Sequence, residues 1–408
     1  MPPFRRPKTN KMSAKKALAG VLLILGMLPG PGRLWALGIR IADQDPSATA
    51  RGNAFSATAD NPSAIYYNPA GLTQLDGQNL RLGLYAIDLN SHFQNATVSL
   101  DTKEKLQAVP QVYYSAKCPS FPVTFGLGVY SPYGLGLEWP DNAPFRAQAK
   151  RGQIVYATVN PVVAWEILPG LSIGGGPTLN FSEADLRQGI FVPGDEFRFR
   201  GRDFDLGFNA GILWQPHPMH SVGVNYRSAT EMDYRGHAAT RLIVPFAFNG
   251  SESARADFQL PQNVVLGYSF RPGTNWNFEV NLDWTDWDRL NTVNLQKASG
   301  NVALPFNWQS SWFYEFGATY RCPRGFQVSL GYIFSENSVP EKNFSPLVPD
   351  SERHIFSVGL GQRWNKLSWD AAYQLAYGPP RDISNGTLAN GRYTFLSHAL
   401  TVAFGYHF

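Results

Sequence analysis

From Leu396 to the final Phe408, large apolar residues recur at alternate positions. Leu396, Leu400, Val402, Phe404, Tyr406 and Phe408 fall on one face of an extended chain. Ser397, Ala399, Thr401, Ala403, Gly405 and His407 fall on the other. Side chains of a strand point to its two faces in turn, so a period of two specifies a strand with one apolar and one small or polar face. The pattern recurs upstream. Trp276, Phe278, Val280, Leu282 and Trp284 oppose Asn277, Glu279, Asn281, Asp283 and Thr285. Phe326, Val328, Leu330, Tyr332 and Phe334 oppose Gln327, Ser329 and Gly331. Phe204, Leu206, Phe208, Ala210, Ile212 and Trp214 oppose Asp203, Asp205, Gly207, Asn209 and Gly211. From Asn79 onward, fourteen segments read as strands.

Alternation alone does not say which face is inside. A soluble barrel turns its large apolar residues inward, and a membrane barrel turns them to lipid. Three features favour the membrane. The segments reach about 9–11 residues, the length a tilted strand needs to cross a bilayer. Aromatic residues such as Trp276, Trp284, Trp312, Tyr320, Trp364, Trp369 and Tyr377 mark the ends of apolar faces, as girdles do. The last residue is aromatic, as in strands read by the outer-membrane barrel assembly machinery. Composition agrees: charged residues are 16% and aromatics 14% of 408 residues, against about 25% charged in average soluble domains.

Connections alternate in length. Short ones fall at 118–121, 169–170, 215–220, 271–275, 322–325 and 365–366. Long ones fall near 91–106, 131–152, 182–196, 228–256, 286–306, 335–351 and 378–392. Long loops at one end and short turns at the other are the outer-membrane asymmetry, and an even strand number puts both barrel termini on the periplasmic side. The expected fold is therefore an all-β membrane protein, a fourteen-stranded antiparallel transmembrane β-barrel at residues 78–408, acting as a monomer in the outer membrane of a Gram-negative-type bacterium.

Residues 1–36 read as an export signal. Arg5, Arg6, Lys8, Lys11, Lys15 and Lys16 precede an apolar run at 18–28, which is too short to span a bilayer as a helix. Residues 37–77 lack alternation, carry Pro62 and Pro69, and are rich in small residues. Inside a barrel lumen their backbone groups can bond polar wall residues; in lipid they could not. They read as a hatch, or plug, within the lumen.

Other chemistries find little support. The net charge is +4 with dispersed Lys and Arg, so no basic stripe points to nucleic acid. Cys118 and Cys322 are too few for a disulfide framework. Gly174, Gly175 and Gly176 lack the Lys-Ser/Thr of a phosphate loop. Ser397 and His398 are adjacent on a strand and face opposite ways, so they form no dyad. Asp203 and Asp205 share a face, and lumen carboxylates ordinarily meet water. No catalytic residue, metal site or cofactor is expected. A lipid-acting outer-membrane hydrolase and a loop-displaying adhesin or structural barrel stand as rival functions.

The hatch then gains meaning from a resemblance. Gly52, Ala54, Ala57, Ala59, Asp60, Asn68, Pro69 and Ala70, followed by Gly71 and Leu72, resemble the hatch motif of the long-chain fatty-acid transporter family, the FadL/TodX-type outer-membrane proteins. Residues 126–139 resemble the family's third strand, and 260–268, 283–287 and 348–353 resemble further family blocks. The resemblance implies passive, ligand-gated diffusion of a hydrophobic compound, a fatty acid or an aromatic hydrocarbon, with outer-membrane lipid as its neighbour. It also implies a kink in the third strand that opens the wall sideways, here over Gly128, Tyr130, Pro132, Tyr133 and Gly134. Pro132 removes a ladder donor and Gly134 permits unusual backbone angles. Leu37, Gly38 and Ile39 would lie near the ligand pocket. A fatty-acid carboxylate would want a cation, for which Arg187, Arg321 and Arg363 are candidates.

Overall fold

In the computed structural model, residues 39–103, 106–243 and 249–408 are described, so Leu37, Gly38 and the export segment lie outside the described residues. A closed antiparallel barrel of fourteen strands forms the wall. In chain order these are β1 (Gln78–Gln94), β2 (Gln107–Lys117), β3 (Val123–Tyr130, resuming at Gly134–Glu138), β4 (Arg151–Leu168) and β5 (Leu171–Gln188). Next come β6 (Glu196–His217), β7 (His220–Arg227 and Thr230–Arg241), β8 (Gly250–Leu260 and Asn263–Phe270) and β9 (Trp276–Thr285 and Thr292–Lys297). The last five are β10 (Val302–Pro305 and Ser311–Arg321), β11 (Phe326–Ser335), β12 (Arg353–Trp364), β13 (Leu367–Ile383) and β14 (Gly391–His407). Each strand pairs with its neighbours in the chain, and β1 closes the ring against β14 from Asn79↔His407 to Gln94↔Arg392.

Exposure decides which way the alternation points. On β9, Trp276, Phe278, Val280 and Leu282 are exposed while Asn277, Glu279, Asn281 and Asp283 are buried. Polar residues are inside and large apolar residues outside, the reverse of a soluble barrel and the arrangement a lipid-facing wall requires. Trp276 stacks near Tyr320 (4.8 Å between rings) beside the 271–275 turn, and Trp284 lies across from Trp312 higher on the same strands. The chain thus builds an aromatic rim on both margins of its apolar band.

The strands continue beyond the expected loops. Residues 228–256 were expected as one long loop, yet β7 and β8 run through most of it, paired from Thr230↔Leu260 to Thr240↔Gly250. The reason is a reversal of sign. Above the apolar band the outer face meets water and the inner face becomes the apolar one: Met232, Tyr234, Ala238, Ala254, Ala256 and Phe258 are all buried. Polar outward residues hide such a strand from a search for outward apolar ones. These inner residues join Leu135, Leu137, Trp139 and Phe395 in one apolar cluster inside the long-loop half of the barrel.

Residues 39–77 lie within the ring, because they bond to strands all round it. Asp45 meets Arg81 of β1, and Gln44 O accepts from Tyr113 of β2 (2.9 Å). Asn68 donates to Ile212 O of β6 (2.9 Å), and Ala57 N to Glu279 of β9 (2.8 Å). Gly52 N donates to Ser357 of β12 (3.1 Å), and Asp43 accepts from Gln374 of β13 (3.0 Å). This segment fills the short-turn half of the lumen.

Candidate transport site in the lumen and the β3 wall

The segment holds its shape through small local caps. Asp45 caps the short helix Pro46–Thr49 by accepting from Ser47 N (2.9 Å), and Pro46 begins it with a preset φ. A second turn, Ala64–Tyr67, ends at Asn68, whose side chain accepts from Ala70 N and starts the 3₁₀ turn Pro69–Gln74. Asn68 is fully buried and its amide also donates to Ser56 O (2.8 Å). One side chain therefore ties two parts of the segment to each other and to β6. Ala54, Pro69 and Ala70 are buried between segment and wall.

The wall is shaped to receive this backbone. A Cβ on Gly331 of β11 would stand 1.9 Å from Gly52 N, and one on Gly223 of β7 would stand 2.1 Å from Ser56 O. Gly52 itself has φ +60, the left-handed turn that favours glycine. Gly128 likewise faces the segment, where a Cβ would meet Ile65 at 2.8 Å.

Several interior charges are paired, and others meet neutral donors or acceptors. Arg81 holds Asp45 and, at 2.8 Å, Asp370. Arg51 lies 3.7 Å from Glu279, which also accepts from Thr58 at 2.5 Å. Arg227 donates to Tyr130 Oη (2.8 Å) and Tyr66 O (3.2 Å) and lies over the Tyr66 ring. Burial pushes the Asp43 carboxyl up, against donation from Asn53 and Gln374. Burial also opposes charge on Asp60, but Arg321 at 2.7 Å together with Arg51, Arg271 and Arg363 outweighs it and holds that carboxyl below the usual range.

The wall of the barrel breaks at β3. Its first part pairs with β2 from Val112↔Val129 to Lys117↔Thr124. Its second part pairs only with β4, from Gly134↔Val155 to Glu138↔Arg151. Residues 107–111 of β2 continue along β1 without a β3 partner. Between them runs a gap in the ladder, spanned by Gln107 Nε2 donating to Gly136 O (2.8 Å). Ser131, Pro132 and Tyr133 form the break, and Pro132 has no N–H to offer a ladder.

The start of the lumen segment occupies that break. Ile41 N donates to Pro132 O (2.8 Å) and Gly134 N to Ile39 O (2.8 Å), with Arg40 and Tyr133 as antiparallel partners. Residues 39–41 thus stand as a short strand against the interrupted one. Arg40 then reaches across the lumen. Its guanidinium grips Asp283 at 3.0 and 2.5 Å and donates to Thr285 Oγ1 at 2.6 Å. Burial opposes charge on Arg40, and Asp283 with Tyr66 and Tyr133 more than restores it. Tyr133 Oη donates to Pro261 O (2.7 Å), and Tyr130 Oη to Asn160 (2.9 Å).

Above the break lies a small cavity of about 20 Å³, lined by Leu89, Leu135, Leu137, Leu347, Arg353 and Phe395 among others. Arg353 pairs with Asp350, while its Nε is buried with no partner among the described residues. The arginines expected from the sequence lie elsewhere. Arg187 pairs with Asp185 (3.0 Å) on outer β5, Arg321 sits at the rim with Asp60, and Arg363 is exposed near the 365–366 turn. None of the three lines this cavity. Arg40 and Arg353 were not singled out in the sequence, although Arg353 ends the 348–353 block.

Residues 31–408 match the family described as outer membrane protein transport protein (OMPP1/FadL/TodX). The chain belongs to this family. It is 23% identical to the long-chain fatty acid transport protein of Salmonella typhi, over 97% of each chain. It is 21% identical to outer membrane protein P1 of Haemophilus influenzae, over 93% of this chain and 96% of that one. In fold it resembles a FadL homologue of Pseudomonas aeruginosa (TM-score 0.81, 18% identity, 91% of this chain and all of the other). It also resembles the Pseudomonas putida toluene transporter TodX (TM-score 0.76, 15% identity, 91% of this chain and all of the other). As an OMPP1/FadL/TodX protein it is an outer-membrane barrel whose relatives are transporters and channels, not enzymes. The Ser397–His398 geometry agrees: Ser397 is buried and His398 is exposed, bonded to Tyr373 Oη at 2.7 Å.

Proposed function

We propose that this protein carries hydrophobic compounds through the outer membrane by ligand-gated diffusion, with residues 37–77 as the hatch and the β3 break as a lateral exit. One observation carries the reading: residues 39–41 pair with the broken stretch of β3, so the hatch and the gap form one device. With the strand in place the route is shut. A cavity of about 20 Å³ holds one water, so a bound ligand has to displace its lining, which includes Leu135 and Leu137 of the β3 segment that begins at Gly134, the residue bonded to Ile39. Movement of residues 39–41 would then clear the β3 gap in the same event. A sideways exit suits apolar cargo, because release into water would cost about 0.8 kcal/mol per exposed methylene.

The ligand is a fatty carboxylate rather than a neutral hydrocarbon. Arg353 carries an unpartnered, buried Nε beside an apolar cavity, and a carboxylate would satisfy it by a charge-assisted hydrogen bond. Such a bond contributes about 1.5–3 kcal/mol. Exchanging Arg353 for Gln together with Asp350→Asn, so that no lone carboxylate remains, should therefore lower oleate uptake about tenfold or more and leave toluene uptake near wild type. Equal loss for both compounds would remove the carboxylate reading, and wild-type uptake of neither would remove the transport reading itself.

A further inference from the structure

The wall has a second weak line, between β6 and β7. Ladder pairing runs from Trp214↔Val222 up to Asn209↔Arg227 and stops. It restarts at Arg202↔Arg235. Across the interval no residue of 203–208 pairs with 228–234. Just above the stop, Ser228 N donates to Phe208 O (2.9 Å) and Phe208 N to Ser228 Oγ (2.9 Å). Beyond that, side chains replace the ladder: Glu231 N donates to Asp205 Oδ2 (2.7 Å) and Asp233 N to Asp203 Oδ2 (2.7 Å). Leu206 N turns back to Asp205 Oδ1 (2.8 Å) instead of crossing to β7. A ladder holds strands about 4.8 Å apart. Above the Ser228–Phe208 bonds the two remaining links run through carboxylates on rotatable side chains, so there the strands can part by breaking two side-chain contacts.

The β6 edge of this seam and its inner side suit an apolar molecule. Outside, Phe204, Leu206 and Phe208 on the β6 edge are exposed, while Glu231 and Arg235 stand out on the β7 edge, which places the seam at the upper margin of the apolar band. Inside, Met232, Tyr234 and Tyr156 are buried in the apolar cluster, and Tyr156 packs edge-on against Tyr133 at 5.3 Å. The seam therefore leads through apolar side chains to the residue that partners Arg40 in the β3 break. The interruption between β8 and β9 differs: its own inserted turn, Trp287–Arg289, covers it, with Trp287 and Leu290 buried.

We propose that the β6–β7 seam is a second lateral passage, by which hydrophobic molecules dissolved in the outer leaflet reach the lumen, with Asp203 and Asp205 as its clasps. This rests on the transport reading for its cargo. The test uses the full mature protein in lipid nanodiscs loaded with a diazirine-bearing fatty acid, with adducts mapped by mass spectrometry after illumination. Adducts are expected on Met232 and Tyr234. Asp203→Ala with Asp205→Ala should raise them about a hundredfold or more, as two charged-acceptor hydrogen bonds are lost. Asp203→Asn with Asp205→Asn, which keeps acceptor oxygens, should leave them near wild type and guards against a folding artefact. Adducts should persist when residue 40 is cross-linked to residue 133. Adducts that vanish under that cross-link, or that do not rise in the alanine variant, would overturn the seam. Cellular uptake of the same probe reads the transport function separately: uptake without seam adducts removes only the second passage.

Discussion

Arg40→Ala is expected to release residues 39–41 from the β3 break and leave the barrel in a leaky state. The substitution removes one partner of a buried pair and strands Asp283, which is buried on β9. Breaking such a pair from one side costs about 3–5 kcal/mol, or about two to four decades in the population of the docked strand. The rest of the hatch keeps its own bonds to β1, β6, β9 and β12, so the loss is local. Hydrogen exchange at residues 39–45 should accelerate strongly while exchange at 64–74 changes little. Arg40→Met combined with Asp283→Leu removes both charges and should recover much of the protection, since an apolar pair of similar volume often replaces a buried ion pair without loss. Unchanged exchange at 39–45 in the single variant would show that Arg40 is not what holds the strand.

Gly331→Ala should unseat the hatch from the opposite side of the lumen. The added methyl would fall 1.9 Å from Gly52 N and 2.3 Å from Arg51 C, both backbone atoms with no rotamer to escape by. The hatch turn has to lift and give up the Gly52 to Ser357 bond. Overpacking of even flexible side chains costs about 1–3 kcal/mol, so an unseated population at least about fivefold larger is expected. Planar-bilayer conductance should rise accordingly. Gly250→Ala, where nothing stands within 4 Å of the new methyl, serves as the control and should conduct like wild type. A silent Gly331→Ala would mean that the hatch does not sit against β11.

Much of this architecture can be read from the sequence because a lipid-facing strand writes its face into every second residue. β6, β9, β11 and β14 are legible for that reason. The upper halves of β7 and β8 are not, because their apolar residues point inward and charged residues such as Glu231, Arg235 and Arg255 point out. Asp203 and Asp205 read as water-facing lumen residues, yet both accept backbone amides across an interrupted ladder. A strand pattern carries no sign of which ladder bonds are missing. The Arg40–Asp283 pair was invisible for a different reason. Arg40 and Asp283 are 243 residues apart, and only closure of the ring brings them together. The stretch around Asn68 stands out in the sequence through its resemblance to a family, and in the structure the Asn68 amide serves both the 3₁₀ turn and the wall.

On the proposed route, residues 39–41 leave the β3 break before cargo passes. Arg40 and Tyr133 form an antiparallel pair without mutual backbone hydrogen bonds, since the bonds run from Ile41 N to Pro132 O and from Gly134 N to Ile39 O. In such pairs the Cα atoms lie about 4.5 Å apart, within disulfide reach. A protein carrying Arg40→Cys and Tyr133→Cys, with Cys118 and Cys322 changed to Ser, can be measured oxidised and reduced. Fatty-acid uptake into cells should stop when the bridge is closed and return on adding a reductant. Equal uptake in both redox states would mean that residues 39–41 do not gate the passage.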